Sequence, residues 1–282
     1  VTIMPVGADP HDFQASAQEV DQMVSADALV TNGAGFEEGL LDVIENARAE
    51  GVPTHEAISA VDTIEFGEGG HDDHDDHGDE DHSDEDHDDD KDADDDHDPE
   101  GHDHEGADPH FVNDPMRMAS AVEGMAEFLT AEVPSLDQEA LESSVATYVA
   151  ELEALDAEIE AMTDGIPADR RLLVTNHEVF GYFADRYGFE IIGVVIPSGS
   201  TTDAVSAGEL AELAEVVEAS GVPAIFADTS SSDELVNVLA DEVGVTEVVE
   251  LFTESLGEPG SGGETYLDMQ RTNGERISDA LA

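Results

Sequence analysis

Residues 171–195 read RLLVTNHEVFGYFADRYGFEIIGVV, and this stretch decides the fold class. The apolar run at 171–175 predicts a buried strand, and residues 189–195 predict a second one. Between them, residues 178–187 predict a helix that ends at Gly188. A strand, a helix and another strand in direct succession are typical of a parallel sheet with helices on its faces.

The same alternation extends in both directions from this stretch. Towards the C-terminus, the pattern predicts helices at 207–219, 233–243 and 264–281 and strands at 224–227 and 246–251. Towards the N-terminus, it predicts strands at 1–6 and 28–31, helices at 16–26 and 37–49, and one or two short strands within 52–64. Residues 115–163 are helical in pattern, with apolar residues every three or four positions and an interruption at Pro134. The expected fold class is therefore α/β.

We expect two α/β lobes, each with a central parallel sheet, joined by a long helix. The N-terminal lobe is assigned to residues 1–114, the connecting helical segment to 115–163 and the C-terminal lobe to 164–282. Residues 67–108 interrupt the first lobe, since they are almost entirely Asp, His, Glu and Gly and lack apolar periodicity. Such a stretch buries too little apolar surface to offset its ordering entropy, so we expect a disordered surface insertion.

The composition is strongly acidic, with 71 Asp and Glu against 8 Lys and Arg and a formal net charge of -63. Most of these acidic residues lie outside 71–104, so the whole surface is expected to be acidic. Concentrated salt screens the self-repulsion of such a surface, and we interpret the source as halophilic. Nucleic acid is excluded as a partner because its binding needs a basic face. The chain has no cysteine, which excludes disulfides and thiolate metal sites.

Four histidines lie outside the insert, and three of them stand where a strand ends or a loop begins. His11 and His177 follow predicted strands, and His110 precedes a long helix. Ligands of open α/β sheets bind at the carboxyl ends of the strands, and imidazoles suit zinc and other transition metals. Taken singly, each histidine is more simply a surface or capping residue, but their shared placement favours a common metal site. His55 lies within a predicted strand, and we interpret it as structural.

Short motifs spread over nearly the whole chain resemble those of the metal-binding receptors of zinc and manganese ABC importers. They are GADPHDF at 7–13, DALVTNG at 27–33, DPHFVNDP at 108–115, HEVFGYF at 177–183, and TESLG at 253–257 followed by TYLDM at 265–269. The resemblance implies two α/β lobes bridged by a long rigid helix, with the metal between them. It also implies a receptor without chemical turnover that works outside the cytoplasm and delivers its metal to an ABC-transporter permease.

The metal ligands implied by the resemblance are His11, His110, His177 and Glu254. Glu254 takes the place of the usual Asp of the family and is one methylene longer. Manganese receptors of the family tend to carry a carboxylate at the position of His177, so three imidazoles point to Zn²⁺, with Mn²⁺ as the alternative. The first strand and helix of the family have no counterpart here. We therefore expect an incomplete first lobe, with attachment to the cell surface or membrane through a missing N-terminal segment.

The acidic insert carries eight further histidines, which are His71, His74, His77, His82, His87, His97, His102 and His104. A His-rich tract is typical of metal binding, and acidity alone does not call for so many imidazoles. We expect them to be weak auxiliary metal ligands that raise the local zinc concentration. The alternative is an acidic, solvated loop with no role in metal binding.

Two other functions fit parts of the sequence. A zinc hydrolase needs an open coordination position and a general base, but helical His-Glu-x-x-His spacing is absent and a Glu254 ligand would close the coordination sphere. A surface adhesin or metal buffer is the other alternative, since some relatives of these receptors are linked to adhesion. We expect a monomeric binding protein and not an enzyme.

Overall fold

The computed structural model describes residues 1–66, 106–245 and 247–282. Its strands in those ranges are β1 (Leu29–Thr31), β2 (Thr54–Glu56), β3 (Leu172–Thr175), β4 (Glu190–Val194), β5 (Ala224–Asp228) and β6 (Glu247–Leu251). Its α-helices there are α1 (Ala17–Val24), α2 (Leu41–Ala49), α3 (Pro115–Glu132), α4 (Gln138–Thr163), α5 (Gly181–Tyr187), α6 (Ala207–Ser220), α7 (Glu234–Val243) and α8 (Tyr266–Leu281). The named strands pair in parallel throughout, which confirms the predicted α/β class.

Four strands form the larger sheet, in the order β4-β3-β5-β6. The central strand β5 is buried along its whole length, because successive side chains point to opposite faces and helices cover both. On one face Leu173 and Phe226 pack with α4, α5 and α8. On the other face Val174 and Ile225 pack with α6 and α7. The β-α alternation predicted for the C-terminal lobe is thus confirmed, with shifts of a few residues at the ends of elements.

One predicted helix begins later than expected. The sequence pattern placed its start at residue 178, but α5 begins at Gly181. The backbone N–H of Glu178 donates to the carbonyl of Ser198, and the N–H of Val179 donates to the carbonyl of His177. These bonds hold the chain in a turn, so His177 remains at the carboxyl end of β3 and outside the helix.

The smaller sheet consists of β1 and β2. Helices α1 and α2 pack against each other, and Leu29 of β1 packs against their shared core. Met23 and Ile44 form the centre of this part of the core. The strand predicted at residues 1–6 is wrong, because the chain instead turns there, and the N–H of Ala8 donates to the carbonyl of Pro5. A strand needs a ladder partner, and within the described ranges β1 and β2 pair only with each other.

Two helices connect the two sheets. The predicted helical segment breaks after α3, at Pro134, because proline cannot donate to the carbonyl four residues earlier. The second helix, α4, has 26 residues and is therefore about 39 Å long. It packs against α3 and, through Leu155 and Ile159, against α8. Over the described residues, no helix combines the length and the apolar character that crossing a membrane requires.

The two ends of the predicted insert meet in space. Glu65 and Ala107 form an isolated antiparallel bridge. The ring of Phe66 lies beside that of His110, with their centroids 6.2 Å apart. Residues 67–105, which include all eight histidines of the insert, lie outside the described residues. The chain therefore leaves and re-enters the described structure at one place, next to a candidate metal ligand.

Candidate metal centre

His110 lies immediately before a short 3-10 helix, Phe111–Asn113, ahead of α3. The Asp108 carboxylate fixes it twice, by accepting the backbone N–H of His110 at 2.9 Å and its ring Nδ1–H at 2.7 Å. The Tyr182 hydroxyl donates in turn to the Asp108 carbonyl at 2.6 Å. His110 is fully buried, and its Nε2 lies 3.0 Å from Glu254 Oε1. The ring is therefore held in one orientation, with one nitrogen directed at the carboxylate.

Hydrogen bonds to the C-terminal lobe fasten the segment that follows His110. The Asn113 amide donates to the carbonyl of Val179 at 3.0 Å. The Val112 carbonyl accepts from the Tyr266 hydroxyl at 2.8 Å and from the Gln270 amide at 3.1 Å. This segment precedes α3 in sequence, yet helix α8 and the turn ahead of α5 hold it in place.

His177 is fully buried in the turn between β3 and α5. The Thr175 hydroxyl donates to the His177 carbonyl at 2.9 Å, which fixes the backbone of the turn. The ring Nε2 lies 3.4 Å from Glu254 Oε1. Within the described part of the chain, neither ring nitrogen has a hydrogen-bond partner. His177 is thus placed for a ligand, but no side chain fixes its ring through Nδ1.

His11 lies in the loop ahead of α1 and is 4% exposed. Because the predicted strand at 1–6 is not formed, a loop and not a strand end presents this residue. The Asp9 carboxylate accepts the backbone N–H of His11 at 2.9 Å. The ring Nδ1 pairs with Glu38 Oε1 at 3.0 Å, and Nε2 lies 2.8 Å from Glu254 Oε1. His11 therefore reaches the same carboxylate oxygen as the other two histidines.

Glu254 comes from the loop that follows β6, and its side chain is fully shielded from solvent. The Asn273 side chain on α8 anchors the start of this loop. Its Oδ1 accepts the N–H of Phe252 at 2.9 Å, and its amide donates to the Phe252 carbonyl at 2.5 Å. The longer side chain of Glu, compared with Asp, spans the distance from this loop to all three imidazoles.

The four side chains converge on one point. One nitrogen of each of His11, His110 and His177 and one carboxylate oxygen of Glu254 all lie within 4.8 Å of one another. Three imidazoles and a carboxylate are a donor set that a tetrahedral divalent ion accepts. The four candidate ligands singled out from the sequence are therefore brought together.

The electrostatics of the cluster favour a cation. Burial lowers the pKa of His110, but the charges and hydrogen bonds of Asp108 and Glu254 outweigh it and raise this pKa to about 10. Burial likewise lowers the pKa of His11, and Glu254 reverses that effect, so the net pKa is raised. Burial raises the pKa of Glu254, whereas the charge of His177 and hydrogen bonds from the other two imidazoles hold it well below its usual range. Without a metal, the raised pKa values of His110 and His11 favour protonated rings that compensate the buried carboxylate.

Two carboxylates of the site were missed from the sequence. Asp108, the partner of His110, carried a local signal, because it stands two residues earlier in the same motif. Glu38, the partner of His11, lies 27 residues away along the chain, and no local pattern marks it. His55 is in β2, stacked on Phe128 with ring centroids 5.1 Å apart, and does not belong to the cluster.

Comparison with known proteins gives a match over almost the whole chain. A family model described as ZnuA, zinc-uptake complex component A periplasmic, matches residues 1–280. The zinc-binding protein TroA of Treponema pallidum (strain Nichols) is 28% identical over 293 residues, covering 99% of this chain and 80% of that protein. The manganese-binding lipoprotein MntA of Halalkalibacterium halodurans is 23% identical over 280 residues, covering 99% of this chain and 80% of that protein.

The fold is also similar to solved structures. The structure of the periplasmic zinc binding protein TroA from Treponema pallidum matches with a TM-score of 0.79 and 26% sequence identity. That match covers 99% of this chain and 89% of the solved chain. The two-lobed α/β architecture expected from the sequence is therefore confirmed by the fold as a whole.

Proposed function

This chain belongs to the ZnuA family of metal-binding receptors of ABC importers, and we propose that it captures Zn²⁺ through His11, His110, His177 and Glu254. Members of this family bind metal ions, work with ABC-transporter permeases and are solute receptors, not enzymes. The resemblance noted in the sequence is thereby confirmed. The choice of metal, the ligand set and delivery of zinc to a particular permease are the parts we propose.

The convergence of four donor atoms in a buried position carries the proposal. Three of the candidate ligands are imidazoles, and each is largely or fully buried, as is the Glu254 side chain. A buried carboxylate is costly unless it is paired. A divalent ion at the centre would replace the protons that otherwise compensate Glu254 and would leave a net charge of +1 on the four ligands and the ion. Four protein donors also close the coordination sphere, as expected for binding without hydrolysis.

The donor set favours zinc over manganese. Zinc readily accepts several imidazoles, whereas manganese is a harder ion that favours carboxylate oxygens. Mn²⁺ is the second candidate, because the manganese-binding lipoprotein MntA is among the similar proteins.

Elemental analysis of protein purified without added metal tests the choice of metal, with separate titrations of Zn²⁺ and Mn²⁺ giving both affinities. We expect one zinc per chain and tighter binding of zinc. Nitrogen-rich sites generally bind zinc more tightly than manganese in competition, so the two affinities alone do not identify the metal that the protein carries. The metal that copurifies with the protein is therefore the more decisive result. Stoichiometric manganese in place of zinc would contradict the zinc assignment.

Zinc binding is expected to release protons. The pKa of His110 in the metal-free protein is about 10, so this imidazole is charged at pH 7, whereas a metal ligand must be neutral. Zinc therefore displaces a proton, and affinity should rise by about tenfold per pH unit for each proton displaced between pH 6 and 8. Calorimetry at one pH, in buffers of different ionisation enthalpy, measures the number released. An observed enthalpy that does not change with the buffer would contradict this expectation.

Removing residues 71–104 is expected to leave the high-affinity site intact. Glu65 and Ala107 are already bridged, so a short link can join the remaining ends at little cost in closure entropy. We expect zinc affinity at the tight site to change by less than about twofold, since none of its four proposed ligands is removed. Zinc titration by calorimetry measures this.

A full-length variant with Asn at all eight histidines of residues 71–104 is the matched control for the deletion. It should lose the same weakly bound zinc as the deletion while keeping the tight site. Loss of the tight site in either variant would show that the insert contributes a required ligand. Unchanged weak binding in both variants would instead support a purely acidic, solvated role for the insert.

The location and the partner follow from the family. The similar proteins include a periplasmic protein and lipoproteins, so we propose that this chain works outside the cytoplasm and meets its permease there. A monomeric state stays a prediction.

A further inference from the structure

Two of the three imidazoles in the cluster have a carboxylate at the ring nitrogen that faces away from Glu254. Nδ1 of His11 pairs with Glu38, and Nδ1 of His110 pairs with Asp108. Such partners fix which ring nitrogen carries the proton and which is free for the metal. His177 is the exception, since its buried Nδ1 has no partner among the described residues.

Asp228 is a buried carboxylate that the proposed zinc site has not used. It is the last residue of β5 and is 3% exposed. Thr175 at the end of β3 pairs with Phe226 on β5. His177 comes two residues after Thr175, in the turn that follows β3, and Asp228 comes two residues after Phe226, at the end of β5. Parallel neighbours in a sheet lie about 4.8 Å apart, so the sheet places this carboxylate beside the His177 turn.

The surroundings of Asp228 leave it capacity to accept another hydrogen bond. Its Oδ1 accepts the N–H of Ser230 at 2.8 Å, and the Ser230 hydroxyl lies 2.9 and 3.0 Å from its two oxygens. An ionised carboxylate has about four acceptor positions. The next residue, Ser231, accepts from the Asn176 amide at 2.8 Å, so this loop contacts the His177 turn directly.

Within the described structure, two unpartnered polar atoms lie on the turn after β3, which neighbours Asp228. They are His177 Nδ1 and Asn176 Oδ1. Both residues are at least nine-tenths buried. Burial raises the pKa of Asp228. The charge of Glu254 raises this pKa further, and the charge of His177 lowers it, so Asp228 interacts electrostatically with both ligands.

We propose that Asp228 is a positioning residue for His177, accepting its Nδ1–H directly or through one water when Nε2 binds the metal. The inference rests on the proposed zinc function. It gives every imidazole of the site its own carboxylate, namely Glu38 for His11, Asp108 for His110 and Asp228 for His177. Each carboxylate fixes one tautomer, so that Nε2 is the metal-binding nitrogen in all three rings.

Asp228→Asn tests the inference with little change of shape. The asparagine Oδ1 can still accept from Ser230, whereas its amide cannot accept from an imidazole N–H. We expect zinc affinity to fall about 10–100-fold, the usual effect of losing such a partner. Asp233→Asn is the matched control, because Asp233 lies nearby at the start of α7, is exposed, and its side chain makes no capping bond. It removes the same charge and should change affinity by less than about twofold, as for an ordinary surface substitution.

Nuclear magnetic resonance of ¹⁵N-histidine-labelled, zinc-loaded protein separates positioning from a general effect of charge. In the unchanged protein, we expect a protected Nδ1–H signal from His177, assigned by its loss in His177→Gln. In Asp228→Asn that signal should shift or exchange quickly, while those of His11 and His110 stay. Thermal unfolding of the metal-free variants checks that both fold.

Each other outcome overturns the inference. Unchanged zinc affinity in Asp228→Asn would overturn it. Weakened zinc affinity with an unchanged His177 Nδ1–H signal would also overturn it, since the lost charge alone would then account for the weaker binding. In both cases zinc binding by the unchanged protein would leave the proposed function standing. If the unchanged protein binds no zinc, the proposed function and the role of Asp228 fall together.

Discussion

Replacing His110 with alanine is expected to weaken zinc binding by at least about 100-fold, because even loss of an outer partner of a ligand typically costs 10–100-fold. His11→Ala and His177→Ala should have effects of the same order. Each change removes one of four donors whose ligand atoms lie within 4.8 Å of one another, and it leaves Glu254 buried with less compensation. Competition with a chromophoric chelator at fixed pH and ionic strength measures all three affinities.

His55→Ala is the matched control for these substitutions. His55 of β2 stacks on Phe128 of α3 and does not belong to the cluster, so zinc affinity should stay within about twofold even if some packing energy is lost. Ionic strength must be held constant throughout, because a chain with a net charge of -63 attracts cations non-specifically in dilute buffer. Retained affinity in all three ligand variants would end the assignment of the site.

Asn273→Ala is expected to lower the free energy of unfolding by roughly 2–6 kcal/mol, since it leaves two buried polar groups without a partner and each costs about 1–3 kcal/mol. The Asn273 side chain is fully buried and bonds both the N–H and the carbonyl of Phe252. Alanine would leave both backbone groups unpaired. Because Glu254 is only two residues after Phe252, zinc affinity should fall as well. Urea denaturation of the metal-free protein and a zinc titration measure the two effects.

Asn237→Ala provides the comparison for this change. Asn237 also lies on a helix and donates through its amide to a backbone carbonyl, that of Asp233, but it is exposed. Its loss should change the free energy of unfolding by no more than about 0.5 kcal/mol. If Asn273→Ala were equally mild, the two bonds to Phe252 would not be what holds the Glu254 loop.

The C-terminal lobe was largely predictable from the sequence, because its strands are apolar runs between amphipathic helices. The helix ends at Gly188 and Gly221 were also predictable from the local sequence, since both glycines adopt the left-handed conformation that ends a helix. The strand predicted at residues 1–6 failed for a non-local reason. Apolar β-branched residues favour a strand only where a neighbouring strand supplies hydrogen bonds, and none does so there among the described residues.

The metal centre was predictable only in part. Its three histidines were marked by position along the chain, and Glu254 was identified through the family resemblance alone. Its outer partners depend on contacts that no local pattern encodes. Glu38 lies in a short 3-10 helix ahead of α2 and meets His11 across 27 residues of the chain. Asp228 lies near the His177 turn because β5 is the neighbour of β3.

The fastening of the His110 segment bears on how the receptor can be dissected. The lobe boundary expected from the sequence lies after residue 114, but dividing the chain there would remove the contacts that hold the His110 segment. Tyr182 bonds Asp108, and Tyr266 and Gln270 bond Val112. Neither half expressed alone would then keep this histidine in its orientation. The two lobes are not interchangeable modules. A chimera that joins lobes from different receptors would need to keep both the His110 segment and the C-terminal residues that bond it.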